Sequence, residues 1–166
     1  MDFRSPEEVV DALRQRCGHG IFGYTKPYKE VEDAVLDYLQ ARHGLKAERD
    51  WLVWMPGVVP ALNLVCRAYA ETGEGIMTMT PAYPPFLSAP QFSGRMLQKV
   101  PLCQENDIWR FDWDLMEKTV TEKTQVFMLC NPQNPTGRVF SRPELELVLA
   151  FCSRHDLVLC SDEIHC

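Results

Sequence analysis

Apolar residues recur along this chain at two periods, and the switches between them mark its elements. From about residue 26, Val31, Ala34, Val35, Tyr38 and Leu39 return at intervals of three and four. That spacing predicts an amphipathic helix with one wet face, closed by His43-Gly44. Upstream, Ser5-Pro6-Glu7-Glu8 offers a capping hydroxyl, a proline at the first helical position and a carboxylate three residues on. A helix is expected from there to about Cys17, broken by Gly18, Gly20 and Gly23. Residues 51–55 form a short apolar strand candidate that meets Pro56-Gly57, after which Leu62, Val65, Cys66 and Tyr69 resume helical spacing.

Further on, strands are predicted over 75–80, 95–100, 124–130 and 157–160, and helices over 84–91, 112–120 (capped by Asp112) and 141–154, with a polar loop at 104–107. Strands alternating with helices imply an α/β fold, a layered arrangement around a mostly parallel sheet. A compact domain of 166 residues buries roughly 70% of its unfolded surface, so one core is expected. There are no internal repeats or low-complexity tracts.

The net charge of -6 is scattered, which argues against a nucleic-acid footprint. Seven cysteines without a CxxC pair read as reduced thiols, not as a disulfide framework or a metal site. No apolar run approaches the ~18 residues of a membrane helix, and the opening Met1-Asp2-Phe3-Arg4-Ser5-Pro6 has no leader character. The expected location is cytoplasmic.

Asn131-Pro132-Gln133-Asn134-Pro135-Thr136-Gly137-Arg138 and Ser161-Asp162-Glu163-Ile164-His165 place an amide and a carboxylate at the carboxyl ends of two predicted parallel strands, where open α/β sheets hold ligands. A carboxylate ending an apolar strand is costly without a cation or strong donor; a protonated pyridine nitrogen is such a partner, and Asn134 could reach a phenolic oxygen on the same ring. Gly57, Val58 and Val59 present backbone amides at a helix start, a place for a phosphate. Tyr83, in Pro81-Ala82-Tyr83-Pro84-Pro85-Phe86, offers a ring for stacking. Each has a plainer alternative: a strand-to-helix turn, a core aromatic, a turn asparagine bonded to its own backbone. Residues 157–165 also have the outline of a helicase-type ATPase strand, but no Gly-Lys pair supplies its phosphate loop. Cys160, Asp162, His165 and Cys166 match no standard zinc spacing.

In this order the motifs resemble the class I/II aminotransferases, the aspartate-aminotransferase superfamily of pyridoxal-phosphate enzymes (fold type I). Within it they look most like the MalY/PatB type of cysteine-S-conjugate β-lyase, also called cystathionine β-lyase. His19-Gly20-Ile21-Phe22-Gly23-Tyr24 and Pro56 to Leu62 belong to the same set. The resemblance implies that amides around Val58 and Val59 hold the cofactor phosphate, that Tyr83 stacks on the pyridine ring, and that Asn134 and Asp162 bond its phenolic oxygen and ring nitrogen. It also implies that Tyr24 reaches the phosphate of the neighbouring subunit in a homodimer. His165 stands where aminotransferases have a tyrosine, which favours a carbon–sulfur lyase releasing pyruvate, ammonia and a thiol from a sulfur-containing amino acid. Gln133, where such lyases often carry histidine, is a departure.

The resemblance further implies a division into residues 1–25, an N-terminal helix and dimer-contact loop, and residues 26–166, part of the cofactor-binding large domain, without the C-terminal small domain. The family's cofactor-bearing lysine follows the aspartate by some tens of residues. None of the six lysines (26, 29, 46, 99, 118, 123) has its Ser-x-Ser/Ala-Lys setting. The chain is therefore expected to be a fragment, inactive alone. Two alternatives remain at this point: an aminotransferase, and a non-catalytic binding or regulatory remnant.

Overall fold

The computed structural model describes residues 3–166; Met1 and Asp2, which open the first motif, lie outside the described residues. The chain divides into two compact units, Met1–Trp54 and Met55–Cys166.

The first unit holds helices α1 (Glu7–Cys17) and α2 (Lys29–His43) and a 3-10 turn at Arg49–Trp51. Pro6 is the N-cap of α1, with extended backbone, and the Ser5 hydroxyl makes no capping bond, contrary to expectation. The Pro6 carbonyl itself accepts from the Val9 and Val10 N–H groups. Gly44 ends α2 in the left-handed conformation at φ 66°, as a glycine C-cap does. No residue of α1 or α2 is buried, so the predicted stripe on α2 stays outside any core within this unit. Arg49 pairs with both Glu32 and Asp33, tying the 3-10 turn to α2.

Residues 51–55, expected as a strand, form none: they leave the 3-10 turn without a sheet partner among the described residues, and Trp51, Val53 and Trp54 are exposed. An apolar run becomes a strand only where a neighbour completes its backbone hydrogen bonds.

The second unit begins with α3 (Val58–Tyr69) and alternates β1 (Gly75–Thr80), α4 (Pro84–Phe92), β2 (Met96–Pro101), a small hairpin, α5 (Trp113–Thr119), β5 (Thr124–Cys130), α6 (Arg142–Arg154) and β6 (Val158–Asp162). The hairpin strands are β3 (Cys103–Glu105) and β4 (Ile108–Arg110). Where a plain polar loop was expected, Asn106 and Asp107 both take positive φ (50° and 62°), the geometry of a two-residue hairpin turn that Asn and Asp tolerate.

The main sheet is wholly parallel, in the order β2-β1-β5-β6. Its inner strands β1 and β5 are buried almost throughout, whereas β2 and β6 are partly exposed. That burial explains the apolar run from Val126 to Cys130 and the mostly apolar β1, whose buried Thr78 hydroxyl donates to the Met128 carbonyl at 3.1 Å. Period-two alternation divides the core. Met77, Met79, Phe127 and Leu129 face Met116 of α5 and Val148 and Phe151 of α6. Ile76, Val126, Met128 and Cys130 face Leu62 and Cys66 of α3 and Phe86 and Ala89 of α4. The result is a three-layer α/β/α unit that brings the carboxyl ends of β1, β5 and β6 side by side.

Candidate active site

At that edge, Cys130 and Asp162 are register partners, and the Asn131 N–H donates to the Asp162 carbonyl oxygen at 3.0 Å. The two signature loops therefore leave the sheet from adjacent positions. The Asp162 side chain is 8% exposed. One carboxylate oxygen accepts the Ile164 N–H at 3.1 Å, and among the described residues no cationic side chain pairs with it. Its immediate neighbours are thiols. Burial first, then the negative charge of Asp162, push the Cys160 thiol up to about 11. Burial likewise raises Cys130, opposed by a hydrogen bond from the Asn134 backbone and aided, by less, by the charge of Asp162. Neutral thiols do not neutralise a carboxylate, so Asp162 is a buried acid that still wants a positive partner.

Two hollows border this segment. One, of about 340 Å³, is lined by Val58, Ala61 and Leu62 of α3 and by Cys160, Asp162 and Ile164. The other, of about 310 Å³, is lined by Asn134, its flanking Pro132, Gln133 and Pro135, Gly137 and His165. Residues 162–165 run from one to the other. The structure thus brings Val58 to Asp162 and Asn134 to His165. The half-buried Asn134 carboxamide has no partner among the described residues, which sets it apart from a turn asparagine bonded to its own backbone. Tyr83 lines neither hollow: it is the N-cap of α4 at the carboxyl end of β1 and is 44% exposed.

Gly57 is the N-cap of α3 at φ 151°, ψ 166°, a backbone region essentially reserved for glycine. No side chain caps this helix, and Pro60 at its third position has no N–H to offer. The Ala61 N–H is taken by the Gly57 carbonyl at 3.2 Å, leaving the Val58 and Val59 amides free at the positive end of the helix. Tyr24 belongs to the first unit, where it has positive φ (48°), is fully exposed, and shares a hollow of about 520 Å³ with Arg16, His19 and Lys26.

Two side chains escaped the sequence reading as contributors to this edge. Gln133 is 3% exposed and bridges two loops; Arg138 pairs with Glu144 at 2.6 Å and donates to the Trp109 carbonyl at 3.1 Å. Both lie in the motif already quoted, but the pattern gives no sign that their side chains turn inward.

Free N–H donors at a helix start, an unpartnered carboxamide and a buried carboxylate acceptor without a cation together fit a phosphorylated pyridine such as pyridoxal phosphate. Among the described residues no group of three or more His, Cys, Asp or Glu side chains is arranged to hold a metal ion, and no helix is long and apolar enough to cross a membrane.

The sequence profile of the family described as "Aminotransferase class I and II" matches residues 1–166. The chain is 38% identical over 166 residues to cystathionine beta-lyase PatB of Bacillus subtilis, covering 99% of this chain and 43% of that protein. Among solved structures, OvoB superposes with a TM-score of 0.94 at 41% identity, covering 99% of this chain and 44% of that one. The PLP-bound C-S lyase of Staphylococcus hominis superposes with a TM-score of 0.94 at 32% identity, covering 100% and 43%. The chain therefore spans less than half the length of each of these relatives.

Proposed function

The chain belongs to the class I and II aminotransferase family, and from that premise we propose that it forms the cofactor-gripping part of a pyridoxal-phosphate-dependent carbon–sulfur β-lyase. The proposed substrates are cysteine S-conjugates of the cystathionine kind, and the products are pyruvate, ammonia and a thiol. When bound, pyridoxal phosphate supplies an electron sink for negative charge at the substrate α-carbon.

The single observation that carries this reading is Asp162, a carboxylate 8% exposed at a strand end with no cation beside it. A pyridine nitrogen that keeps its proton satisfies Asp162, and Asp162 in turn holds that proton in place. Asn134 donates to the phenolic oxygen, the Val58 and Val59 amides bind the phosphate at the Gly57 turn, and Tyr83 limits the tilt of the ring. His165 borders the Asn134 hollow, on the phenolic-oxygen side. Tyr24 serves the phosphate of a second subunit, which makes the proposed assembly a homodimer with shared sites. A cytoplasmic location accords with seven unpaired thiols.

Lys99, Lys118 and Lys123, the lysines of the second unit, line neither hollow. None of the six lysines has the Ser-x-Ser/Ala-Lys setting, so we assign to these 166 residues the grip on the cofactor and not its covalent anchoring, and alone they do not turn substrate over. Pyruvate formed from cystathionine by this chain and added pyridoxal phosphate, faster than by the cofactor alone, would overturn that assignment.

The reaction type is tested on the full-length protein by following thiol and pyruvate release from cystathionine beside keto-acid-dependent amino transfer. Thiol release without added keto acid is the expected result. Amino transfer dominating over thiol release points instead to an aminotransferase, and absence of both refutes an enzymatic role.

A further inference from the structure

We propose that Gln133 is the positioning residue that fixes the Tyr83 turn against the Asn134 loop, and so sets the two ring contacts relative to one another. The proposal rests on the cofactor reading above for its consequence, but not for its geometry. β1 and β5 are register partners only as far as Thr78 and Met128. Beyond them the chains run into Pro81 and Pro132, neither of which has an N–H for a further rung. The Gln133 carboxamide supplies the missing crosslink: its Nε2 donates to the Pro81 carbonyl at 2.8 Å, across 52 residues of sequence.

The amide is held in that orientation from its other end. Oε1 accepts the Thr136 N–H at 3.0 Å and the Thr136 hydroxyl at 2.5 Å. Two donors on the oxygen leave the nitrogen end pointing to Pro81. The main chain of Gln133 is committed as well: its N–H donates to the Arg138 carbonyl at 2.7 Å, and its carbonyl accepts the Gly137 N–H at 2.8 Å. The backbone bonds close the 133–138 loop on itself, and among the described residues the Gln133 side chain makes that loop's one hydrogen bond to Pro81.

Pro81 lies two residues before Tyr83, and Tyr83 is followed by Pro84 at the start of α4. A spacer so limited in φ has little slack in which to absorb a displacement of the Pro81 carbonyl before it reaches the Tyr83 ring. Burial to 3% makes the link costly to break, since an unpaired buried amide loses its hydrogen bonds to both water and protein. A carboxamide is donor and acceptor at every ordinary pH. A glutamate has the same shape but regains the donor only when protonated.

The test uses the full-length protein and the variants Gln133→Met, Gln133→Glu and Thr136→Val. Hydrogen exchange is measured first without cofactor. Gln133→Met is expected to raise exchange in residues 81–86 and 133–138 together while β1 and β5 stay protected. Thr136→Val, which removes one of the two donors orienting the amide, should give the same coupled rise at smaller amplitude. A rise confined to 133–138, with 81–86 as in the parent protein, overturns the proposal.

The second readout is the circular dichroism of bound pyridoxal phosphate. The ratio of the Gln133→Glu signal to the parent's, taken at each pH, should approach one at about pH 5 and fall by about pH 8 as the carboxyl ionises. On cystathionine, Gln133→Met should lower kcat roughly tenfold with KM nearly unchanged, the signature of misplaced contacts. A ratio of Gln133→Glu to parent signal that does not change with pH counts against the role. Failure of the parent protein to bind pyridoxal phosphate sinks the cofactor reading, and the exchange data still decide whether Gln133 couples the two loops. If Gln133→Met loses protection in β1 and β5, Thr136→Val and the reversible pH response of Gln133→Glu decide the matter.

Discussion

Cys130 and Asp162 face each other as the last register pair of β5 and β6, so the acid that ends the sheet meets a thiol and not a cation. Burial raises the Cys130 thiol, with a lesser contribution from Asp162, and keeps it neutral. A site built for stability would have placed an arginine or lysine there, because an uncompensated buried charge is expensive.

Asp162→Asn separates the acid's charge from its structural bond. The asparagine oxygen still accepts the Ile164 N–H made at 3.1 Å in the parent chain, and the unpaired buried charge is gone, so the melting temperature of the cofactor-free protein should rise. Loss of a charge-assisted bond to the ring nitrogen should weaken pyridoxal phosphate about 10- to 100-fold. Absorbance titration of the full-length protein measures this, and equal affinity in parent and variant would remove Asp162 from the site.

The cysteines should divide by reactivity. Burial pushes Cys152 up to about 11, and burial with Asp162 does the same for Cys160. At pH 8 only about one in a thousand such thiols is ionised, whereas Cys17 is exposed. Iodoacetamide at pH 8 followed by peptide mass spectrometry should label Cys17 and spare Cys152 and Cys160 until the protein is unfolded. Prompt native labelling of Cys160 would mean that the β6 end opens.

The bounds of β1 and β5 were legible because strands buried on both faces are mostly apolar, and the Pro81 and Asn131-Pro132 that follow them stop them sharply. Asp162 was legible for the opposite reason: a charge ending an apolar run is a local anomaly. The failures share a cause in long-range partners. Residues 51–55 have strand composition but no strand to pair with, and Gln133 reads as a turn residue until its contact with Pro81 is seen. The hairpin at Asn106 and Asp107 was within reach, since two residues that tolerate positive φ separate two short strand-compatible runs. Tyr83 was expected to share a hollow with Asn134 and Asp162; the described hollows contain the latter two separately, and Tyr83 lines neither.

Glu144 secures the far end of the Asn134 loop, and its contribution should depend on pH. Burial acts to raise its carboxyl, but the Ser141 hydroxyl and N–H and the Arg138 guanidinium outweigh this and hold it below the usual carboxylate range. A depressed value in the folded state means that the stabilisation is present above the unfolded value of about 4.3 and is lost as pH falls through the folded one. Glu144→Gln should cost about 1 kcal/mol at neutral pH. In urea unfolding the gap between parent and variant should close in acid. A gap independent of pH would show that the ionised form contributes nothing.

A change at Gly57 tests the proposed phosphate grip apart from the rest of the site. The glycine's φ of 151° is poorly open to other residues, yet a Cβ there would meet only the Pro60 Cδ at 3.7 Å, an ordinary contact. Gly57→Ala therefore acts through backbone strain of about 1–3 kcal/mol and not through a clash. If the turn relaxes to relieve that strain, the free Val58 and Val59 amides lose their aim. Pyridoxal phosphate should then bind roughly tenfold more weakly, while pyridoxal, which lacks the phosphate, is affected little. Titration of both compounds against the full-length parent and variant separates the cases: equal weakening of the two would place the phosphate elsewhere than the start of α3.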